Sequence, residues 1–420
     1  MKALAVIDGE HYADVVRDAL VELPYDFVAA YLAGGEEKLR GGEDYGVPVV
    51  QDLDDGLAFG PEVVVDLSDE PVLGPRARLL LASRVLARGL AYVGPDFRFE
   101  PPLFAPFSLP SLGVAGTGKR VGKTAVANHV ARLLSREHDV VVVAMGRGGP
   151  PGPELVTRPP TAEELLALSR AGQHAASDYL EDAVLSGVRT VGARRCGGGL
   201  AGRTAASNVL AAAELAAELG PDLVLFEGSG AALPPVATDR RILVAPADEG
   251  ADVTGGLNAY RVLISDLVVL VGEEGGDAPR AAVDTLRPDL PVVAVTLRPR
   301  PTVDVAGRRA VVFTTAQEPA RAVVATHVGE RHGAEVVHVS GNLARRDELR
   351  RELDPPPEAD VYLTELKAAA IDVVAEAAVA RGVELGFLDN EVVPLPGEAD
   401  LDDAVQALAR DALARTPLPA

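Results

Sequence analysis

The feature that most constrains this chain is a glycine-containing loop at residues 116–124, with the sequence GTGKRVGKT. It follows SLGVAG at 111–116, which is apolar enough for a buried strand, and it precedes a helical pattern over about 123–135. A strand, a glycine loop and a helix in this order turn backbone N–H groups toward a phosphate at the helix N-terminus. The loop therefore predicts an α/β domain that binds a nucleotide.

The loop departs from the standard pattern GxxxxGK[ST] at one position, because Thr117 stands where glycine is expected. Lys123 is expected to neutralise the β- and γ-phosphates, and Thr124 to ligate Mg²⁺. A tight structural turn is the alternative interpretation. We predict ATP and Mg²⁺ as cofactors, held by Gly116, Thr117, Gly118, Val121, Gly122, Lys123 and Thr124.

P-loop enzymes also need an acid at the end of a neighbouring strand to hold the metal. Glu227 ends the apolar run LVLFE and precedes a glycine, which is the expected position for such an acid. Asp182 is a second candidate, because Asp178 and Asp182 lie four residues apart on one face of a predicted helix. The alternatives are a carboxylate that caps a turn and a solvated helix face. The predicted metal ligands are Thr124, Glu227 and Asp182.

The charge distribution indicates a small anionic ligand. A net charge of −22 argues against general nucleic-acid binding, yet residues 101–136 and 183–213 contain no acid at all. The second stretch contains ARRCGGGLAGR, with Arg194, Arg195 and Arg203 beside glycines. Arg147 follows the strand-like run VVVVA, at the edge where parallel sheets present their ligand-binding residues. A surface arginine in a turn is the alternative for Arg147.

Other classes of protein are disfavoured by composition. No apolar run approaches 18 residues, which argues against a membrane span, and the N-terminus becomes acidic too early for a secretory signal. We therefore expect a cytoplasmic protein. Cys196 is the only cysteine, so neither an intramolecular disulfide nor a cysteine metal site can form.

The pattern of apolar runs predicts an α/β fold in two domains. Short apolar runs alternate with helical patterns over the first 100 residues, which predicts a Rossmann-like parallel sheet at 1–105. A proline-rich stretch at 101–113 marks the boundary. Residues 106–420 are predicted as a larger P-loop NTPase domain, with a C-terminal α/β extension over about 285–420.

Several motifs together resemble one known family. The loop GTGKRVGKT is similar to that of dethiobiotin synthetase and its relatives. Taken with IDGEHY, DLSDEP, YVGPDFRFEPP, AMGRGGP, ARRCGGGLAGRTAASN and ELKAAAIDV in this order, the chain resembles the cyclic 2,3-diphosphoglycerate synthetase family along nearly its whole length. The resemblance implies an ATP-dependent closure of 2,3-diphosphoglycerate into a cyclic phosphoanhydride, with release of ADP and phosphate. We also expect a homodimer.

Under this resemblance the site residues take roles. Lys119, Arg120, Lys123 and Glu227 are predicted to be catalytic, with Lys119 and Arg120 stabilising charge during transfer. The predicted substrate-binding residues are Arg147, Arg194, Arg195, Arg203, His11 and Lys367. A surface lysine on a helix is an equally good interpretation of Lys367.

Two other functions stay open at this stage. An ATP-dependent ligase of the dethiobiotin synthetase type, acting on another small acid, would need fewer essential arginines. A nucleotide-switch ATPase acting on a protein partner usually carries a lysine just before the first glycine of the loop, whereas this chain has Ala115 there.

Overall fold

The computed structural model describes residues 1–39, 41–318, 320–368 and 370–415. Its strands are β1 Lys2–Ile7, β2 Asp26–Leu32, β3 Val49–Val50, β4 Val63–Asp66, β5 Ala91–Val93, β6 Arg98–Phe99, β7 Ser111–Gly116, β8 Val140–Gly146, β9 Glu154–Val156, β10 Arg189–Cys196, β11 Ala206–Ser207, β12 Leu223–Glu227, β13 Arg240–Pro246, β14 Leu267–Val271, β15 Val292–Pro301, β16 Arg309–Phe313, β17 Glu335–Ser340, β18 Val361–Thr364 and β19 Glu384–Pro394.

The helices carry the remaining regular structure, and no described helix is long and apolar enough to cross a membrane. They are α1 Ala13–Glu22, α2 Leu53–Leu57, α3 Pro75–Ala87, α4 Lys123–Leu134, α5 Ala162–Arg170, α6 Asp178–Ser186, α7 Val209–Glu218, α8 Asn258–Leu263, α9 Asp277–Leu286, α10 Ala320–His332, α11 Arg346–Glu352, α12 Glu376–Arg381 and α13 Leu401–Leu413. Short 3₁₀ turns cover Glu36–Lys38 and Gly250–Thr254, and a π-helical turn covers Ala370–Ala375.

The chain forms two compact units. The first comprises Met1–Leu103, Gly250–Ile264 and Ala278–Asp289. Its sheet has the order β3-β2-β1-β4-β5-β6 and is parallel except for β6 at one edge. Strand β1 is central, and its apolar residues are almost completely buried. The order reverses direction beside β1, which is the arrangement of a Rossmann-like sheet.

The second unit contains Phe104–Glu249, Ser265–Asp277 and Leu290–Ala420. Its 13-stranded sheet has the order β11-β10-β8-β12-β7-β13-β14-β15-β19-β18-β16-β17, with β9 paired to β10. The pairs from β10 to β15 along this order are parallel, and β19 then pairs antiparallel with β15. The predicted C-terminal extension therefore continues the nucleotide-binding sheet.

Apolar residues on both faces of this sheet explain its near-complete burial. Helices α4 and α13 pack on one face through alanine, valine and leucine side chains. Helix α7 covers the other face over β8, β10 and β12, together with Phe107. Parallel strands buried on both faces read as continuous apolar runs, which is why VVVVA at 140–144 was recognisable from sequence.

The predicted fold class is confirmed: an N-terminal Rossmann-like sheet is followed by a larger P-loop unit with a C-terminal α/β part. Three elements differ from what the apolar pattern of the sequence predicts. The pattern predicts a helical segment near 161–185 and a helix over roughly 204–219. The first is two helices, because Gly172 adopts φ +77° after α5 and Ser177 opens α6. The helix expected from 204 begins at Val209, because Ala206–Ser207 pairs with β10. Strand β19 was not predicted.

Candidate active site

The loop at 116–124 lies between the buried strand β7 and helix α4. Gly122 precedes the helix with φ +84°, and a Cβ there would lie 3.0 Å from the side chain of Val271 and 3.3 Å from that of Leu297. Only glycine meets both demands, because other residues rarely adopt this φ and have no space here. The loop therefore opens α4 with free backbone N–H groups, as an anion-binding loop requires.

Thr117, the residue that departs from the standard pattern, has a partner outside the loop. Its Oγ1 donates to Oε2 of Glu249 over 3.2 Å, and its backbone N–H donates to the carbonyl of Val244 over 3.0 Å. Both partners follow or belong to β13, which pairs with β7. Thr117 thus ties the start of the loop to the neighbouring strand, and direct contact between its side chain and a nucleotide stays a prediction.

Lys123, Thr124 and Glu227 meet at one point, as the sequence analysis expected. Thr124 Oγ1 donates to Glu227 Oε1 over 2.9 Å, and the Lys123 ammonium forms an ion pair with the same oxygen. Glu227 ends β12, which lies between β7 and β8 in the sheet. Burial alone would raise the pKa of Glu227, but Lys123 and the hydrogen bonds around the carboxylate outweigh it and lower that pKa.

Helix α6 adds further carboxyl groups beside Glu227. Asp182 is completely buried, and burial together with the charge of Glu227 raises its pKa well above the usual value. The pKa values of these two neighbouring carboxyl groups are thus shifted in opposite directions. A direct role of Asp182 in holding a metal stays a prediction. Glu181 was missed by the sequence analysis: burial and Asp178 raise its pKa to about 8. Its only signal was its place in SDYLED.

Three cations predicted from distant parts of the chain converge on Gly230. A Cβ at this glycine would lie 3.1 Å from Nη2 of Arg147, 3.6 Å from Cγ of Lys119 and 3.8 Å from Nη2 of Arg195. Gly230 has φ +58° and lies in the turn between Ser229 and Ala232, whose backbone groups hydrogen-bond to each other. Burial and the nearby charge of Arg147 lower the pKa of Arg195. Such a concentration of positively charged side chains beside the loop would favour a bound anion, and the binding of a substrate phosphate by these residues stays a prediction.

Arg195 is held in this cluster by the turn itself. Its Nη2 donates to the carbonyl and the hydroxyl of Ser229 over 2.8 and 3.2 Å, and its Nη1 donates to the carbonyl of Gly197 over 2.8 Å. Arg194 is its neighbour on β10, so its side chain projects from the opposite face of the strand. The backbone N–H of Arg194 donates to Oδ1 of Asn208. Arg203 lies in the turn after β10 and is exposed. The structure thus brings Arg195 to the cluster but not Arg194 or Arg203.

A cavity of about 920 Å³ lies beside the loop and the turn at Gly230. Lys119, Arg120, Lys123 and Thr124 line it from the loop, and Arg147 lines it from the end of β8. Arg120 adopts φ +61°, an uncommon conformation for a residue with a side chain. Helix α6 contributes Asp178 and Glu181, and the C-terminal part contributes Thr315, Lys367, Asp389 and Asn390.

His11 belongs to the first unit. Its Nδ1 lies 2.9 Å from Oδ1 of Asp8, and its Nε2 lies 3.4 Å from Oδ2 of Asp69. Burial would raise the pKa of Asp8, but hydrogen bonds from Asp69 and His11 and the charge of His11 lower it. His11 is therefore engaged with two carboxylates at the end of β1, and its contact with a substrate stays a prediction.

The oxygen donors at the loop fit Mg²⁺ delivered with a nucleotide. Mg²⁺ is commonly held by one or two protein oxygens together with phosphate oxygens and water. Thr124 and Glu227 offer a hydroxyl and a carboxylate at one point. Within the described ranges no group of three or more His, Cys, Asp or Glu residues is arranged to hold a metal by itself. A cation here would depend on a bound phosphate.

A parallel sheet with a phosphate-binding loop after a central strand, and with Lys123, Thr124 and a strand-end acid in contact, defines a P-loop nucleotide-binding protein. Three family models match the chain and refine this class. They describe the N-terminal, P-loop and C-terminal domains of cyclic 2,3-diphosphoglycerate synthetase and match residues 2–100, 111–296 and 301–391. The chain belongs to the cyclic 2,3-diphosphoglycerate synthetase family.

Curated relatives agree over the full length. Proteins named cyclic 2,3-diphosphoglycerate synthetase are 48% identical in Rubrobacter xylanophilus and 43% identical in Thermococcus gammatolerans, each over 98% of both chains. The protein of that name in Methanothermus fervidus is 37% identical over 96% of both chains. Among solved structures, LpxK from Aquifex aeolicus in complex with ATP is 15% identical, with a TM-score of 0.42, over 73% of this chain and 90% of its own.

Proposed function

We propose that this protein uses ATP and Mg²⁺ to close 2,3-diphosphoglycerate into its cyclic intramolecular phosphoanhydride, releasing ADP and phosphate. The observation that carries the proposal is the convergence of Lys119, Arg147 and Arg195 on Gly230, beside the phosphate-binding loop. The name of the relatives supports the same substrate. A substrate with two phosphates and a carboxylate needs more positive charge than the loop alone supplies.

The reaction balances in two steps. An oxygen of one substrate phosphate attacks the γ-phosphorus of ATP, the bond to the β-phosphate oxygen breaks, and ADP leaves. An oxygen of the second substrate phosphate then attacks the phosphorus of the first, and the transferred phosphate leaves as inorganic phosphate. Both steps bring anions together, so positioning and charge neutralisation supply most of the catalysis.

Each residue of the site has a separate role in this reaction. Lys123 exchanges Glu227 for the β- and γ-phosphate oxygens, and the loop N–H groups bind the same phosphates. Thr124 and Glu227 are the residues that would hold Mg²⁺, and the ion would offset charge on the phosphates. Lys119 and Arg120 stabilise charge on the transferred group, and Arg147 and Arg195 bind the substrate phosphates. A dethiobiotin-type ligase would need fewer of the cations at Gly230, and a nucleotide switch acting on a protein partner would leave them without a small-molecule ligand.

Phosphorus NMR of the reaction tests the proposal directly. Purified protein is incubated with ATP and Mg²⁺, with and without 2,3-diphosphoglycerate, and ADP release is measured in parallel. We expect ADP release to depend on the substrate and to match the appearance of a cyclic anhydride signal. The Lys123→Ala variant is the control for contaminating ATPases, and 3-phosphoglycerate is the matched compound that lacks the second phosphate. Substrate-independent ADP release without the anhydride signal would refute the proposal.

A further inference from the structure

The segment 365–368 of the C-terminal part lies beside the nucleotide-binding loop and has three unusual features. Lys367 lines the cavity that the loop also lines, and it is the only lysine after Lys123. Ala368 follows with φ +51°. A π-helical turn at Ala370–Ala375 comes next. Left-handed non-glycine residues and π-helical turns are both enriched at functional sites, so the backbone indicates a functional segment independently of the lysine.

Two non-glycine residues with a left-handed backbone conformation give further support for a functional role of this segment. In the described ranges, Arg120 and Ala368 are the non-glycine residues with positive φ. One belongs to the nucleotide-binding loop and the other follows Lys367, and both line the same cavity. Strain of this kind persists only where the surrounding structure holds it. Both strained residues line one cavity, which indicates that the loop and the C-terminal segment both contribute to its function.

Glu365 fixes the position of Lys367. Its Oε1 accepts from Oγ1 of Thr314 over 2.7 Å, and its Oε2 accepts from the backbone N–H and Oγ1 of Thr315 over 3.1 and 3.0 Å. The Lys367 ammonium lies 2.9 Å from the same Oε2. Thr315 and Glu365 follow the ends of β16 and β18, which are neighbouring parallel strands, so the sheet itself places the carboxylate.

Lys367 repeats the arrangement of Lys123. Each lysine is paired with a strand-end glutamate that also accepts from threonine, Glu227 in one case and Glu365 in the other. The difference is exposure: the side chain of Lys123 is 11% exposed, whereas that of Lys367 is 52% exposed. Lys367 is therefore a pre-positioned cation with free donor capacity toward the cavity, because an ammonium group has three donors.

We propose that Lys367 binds a substrate phosphate from the C-terminal wall of the cavity, and that Glu365 is the positioning residue that holds it there. This inference rests on the proposed function for the identity of the substrate. Lys367 would supply a phosphate-binding cation from a segment more than 240 residues beyond the loop at 116–124. The hydrogen-bonded carboxylate of Glu365, 2.9 Å from the ammonium, holds the lysine at this wall, and the left-handed Ala368 and the π-helical turn follow it in the chain.

The first test compares Lys367→Gln with Arg350→Gln. Arg350 is a matched control, because it is an exposed cation of the C-terminal part paired with Asp347. Calorimetry measures binding of 2,3-diphosphoglycerate and of pyrophosphate in the presence of ADP, and binding of ADP alone. We expect Lys367→Gln to weaken the binding of 2,3-diphosphoglycerate and of pyrophosphate by about tenfold to a hundredfold, which corresponds to the loss of one charge-assisted hydrogen bond. ADP affinity should stay within about threefold, and Lys367→Arg should restore most of the anion affinity.

The outcomes separate this inference from the proposed function. Unchanged affinity for pyrophosphate in Lys367→Gln overturns the role of Lys367, whether or not the wild type produces the cyclic anhydride. A loss confined to ADP also overturns it, because the lysine would then contact the nucleotide. Pyrophosphate binding that depends on Lys367, in a wild type that is inert toward 2,3-diphosphoglycerate, would uphold the phosphate contact and reject the proposed substrate.

A double-mutant cycle tests the positioning role of Glu365. The single variant Glu365→Gln should weaken pyrophosphate binding by less than Lys367→Gln does, since the charge of the lysine remains. Adding Glu365→Gln to Lys367→Gln should cause no further loss, because the glutamate acts through the lysine. Losses that multiply in the double variant would show an independent, structural effect of Glu365 and overturn its positioning role. Melting temperatures of all four proteins identify variants that fail to fold.

Discussion

The pair Arg194 and Arg195 offers the sharpest test of the anion site, because the two arginines are adjacent on one strand and lie on opposite sides of it. Arg195 reaches the turn at Ser229 and the cluster at Gly230, whereas Arg194 does not. Replacing each by glutamine removes the same charge from the same region. The difference between the two variants therefore isolates the contribution of position from that of overall charge.

The expected magnitude follows from the contacts of Arg195. Its guanidinium makes three hydrogen bonds within the chain, of 2.8, 2.8 and 3.2 Å, and its Nη2 lies 3.8 Å from the position that a Cβ of Gly230 would take. A charge-assisted hydrogen bond to phosphate contributes about 2 kcal/mol. Its loss lowers kcat/KM by about 30-fold. Stability should fall by only about 1 kcal/mol, because the side chain is partly exposed and glutamine can still donate.

The assay is ADP release at saturating ATP with varied 2,3-diphosphoglycerate, accompanied by thermal melting. We expect Arg195→Gln to lose about 30-fold in kcat/KM for the substrate, and Arg194→Gln to lose less than about threefold, because an exposed charge has little effect. The KM for ATP should change little in either variant. Equal losses in the two variants, or turnover in Arg195→Gln close to that of the wild type, would refute the assignment of the cluster to the substrate.

Three further outcomes follow from the same geometry. Lys123→Ala should abolish turnover. It should also lower the free energy of unfolding by about 2–4 kcal/mol, because Glu227 would stay buried without its partner. Adding Glu227→Gln should recover most of that stability, as measured by chemical denaturation. Gly230→Ala places a methyl group 3.1 Å from Nη2 of Arg147, so the KM for the substrate should rise about tenfold with ADP binding unchanged, and calorimetry that shows equal losses for both ligands would count against this. The pKa of Glu181 is raised to about 8, so the folded state keeps a proton that the unfolded state loses near pH 4.5. The contribution of Glu181 to the free energy of unfolding therefore falls as the pH rises from about 4.5 to about 8. Glu181→Gln should flatten this pH dependence in unfolding measurements, and an unchanged dependence would contradict the assignment.

Much of the fold was predictable because its signals are local. Strands buried on both faces are continuous apolar runs, so β7, β8, β12 and β14 could be recognised individually. Strand β19 was missed because its exposed and buried residues are mixed along GVELGFLDNEVVP, and it becomes a strand through antiparallel pairing with β15. The break between α5 and α6 was missed because a single left-handed glycine within a helical pattern does not by itself specify an end.

The candidate site, like the fold, was predictable from the sequence only in part. The sequence alone determined the nucleotide-binding loop, the strand-end acid Glu227 and the family, because contiguous residues specify a glycine turn, a helix start and a strand end. Only the tertiary structure decided that Arg195 rather than Arg194 joins Lys119 and Arg147, that Asp182 lies buried beside Glu227, and that Lys367 lines the cavity at the loop. The physical reason is that these neighbours depend on strand order and on the side of each strand from which a side chain projects, and neither is encoded within a single motif.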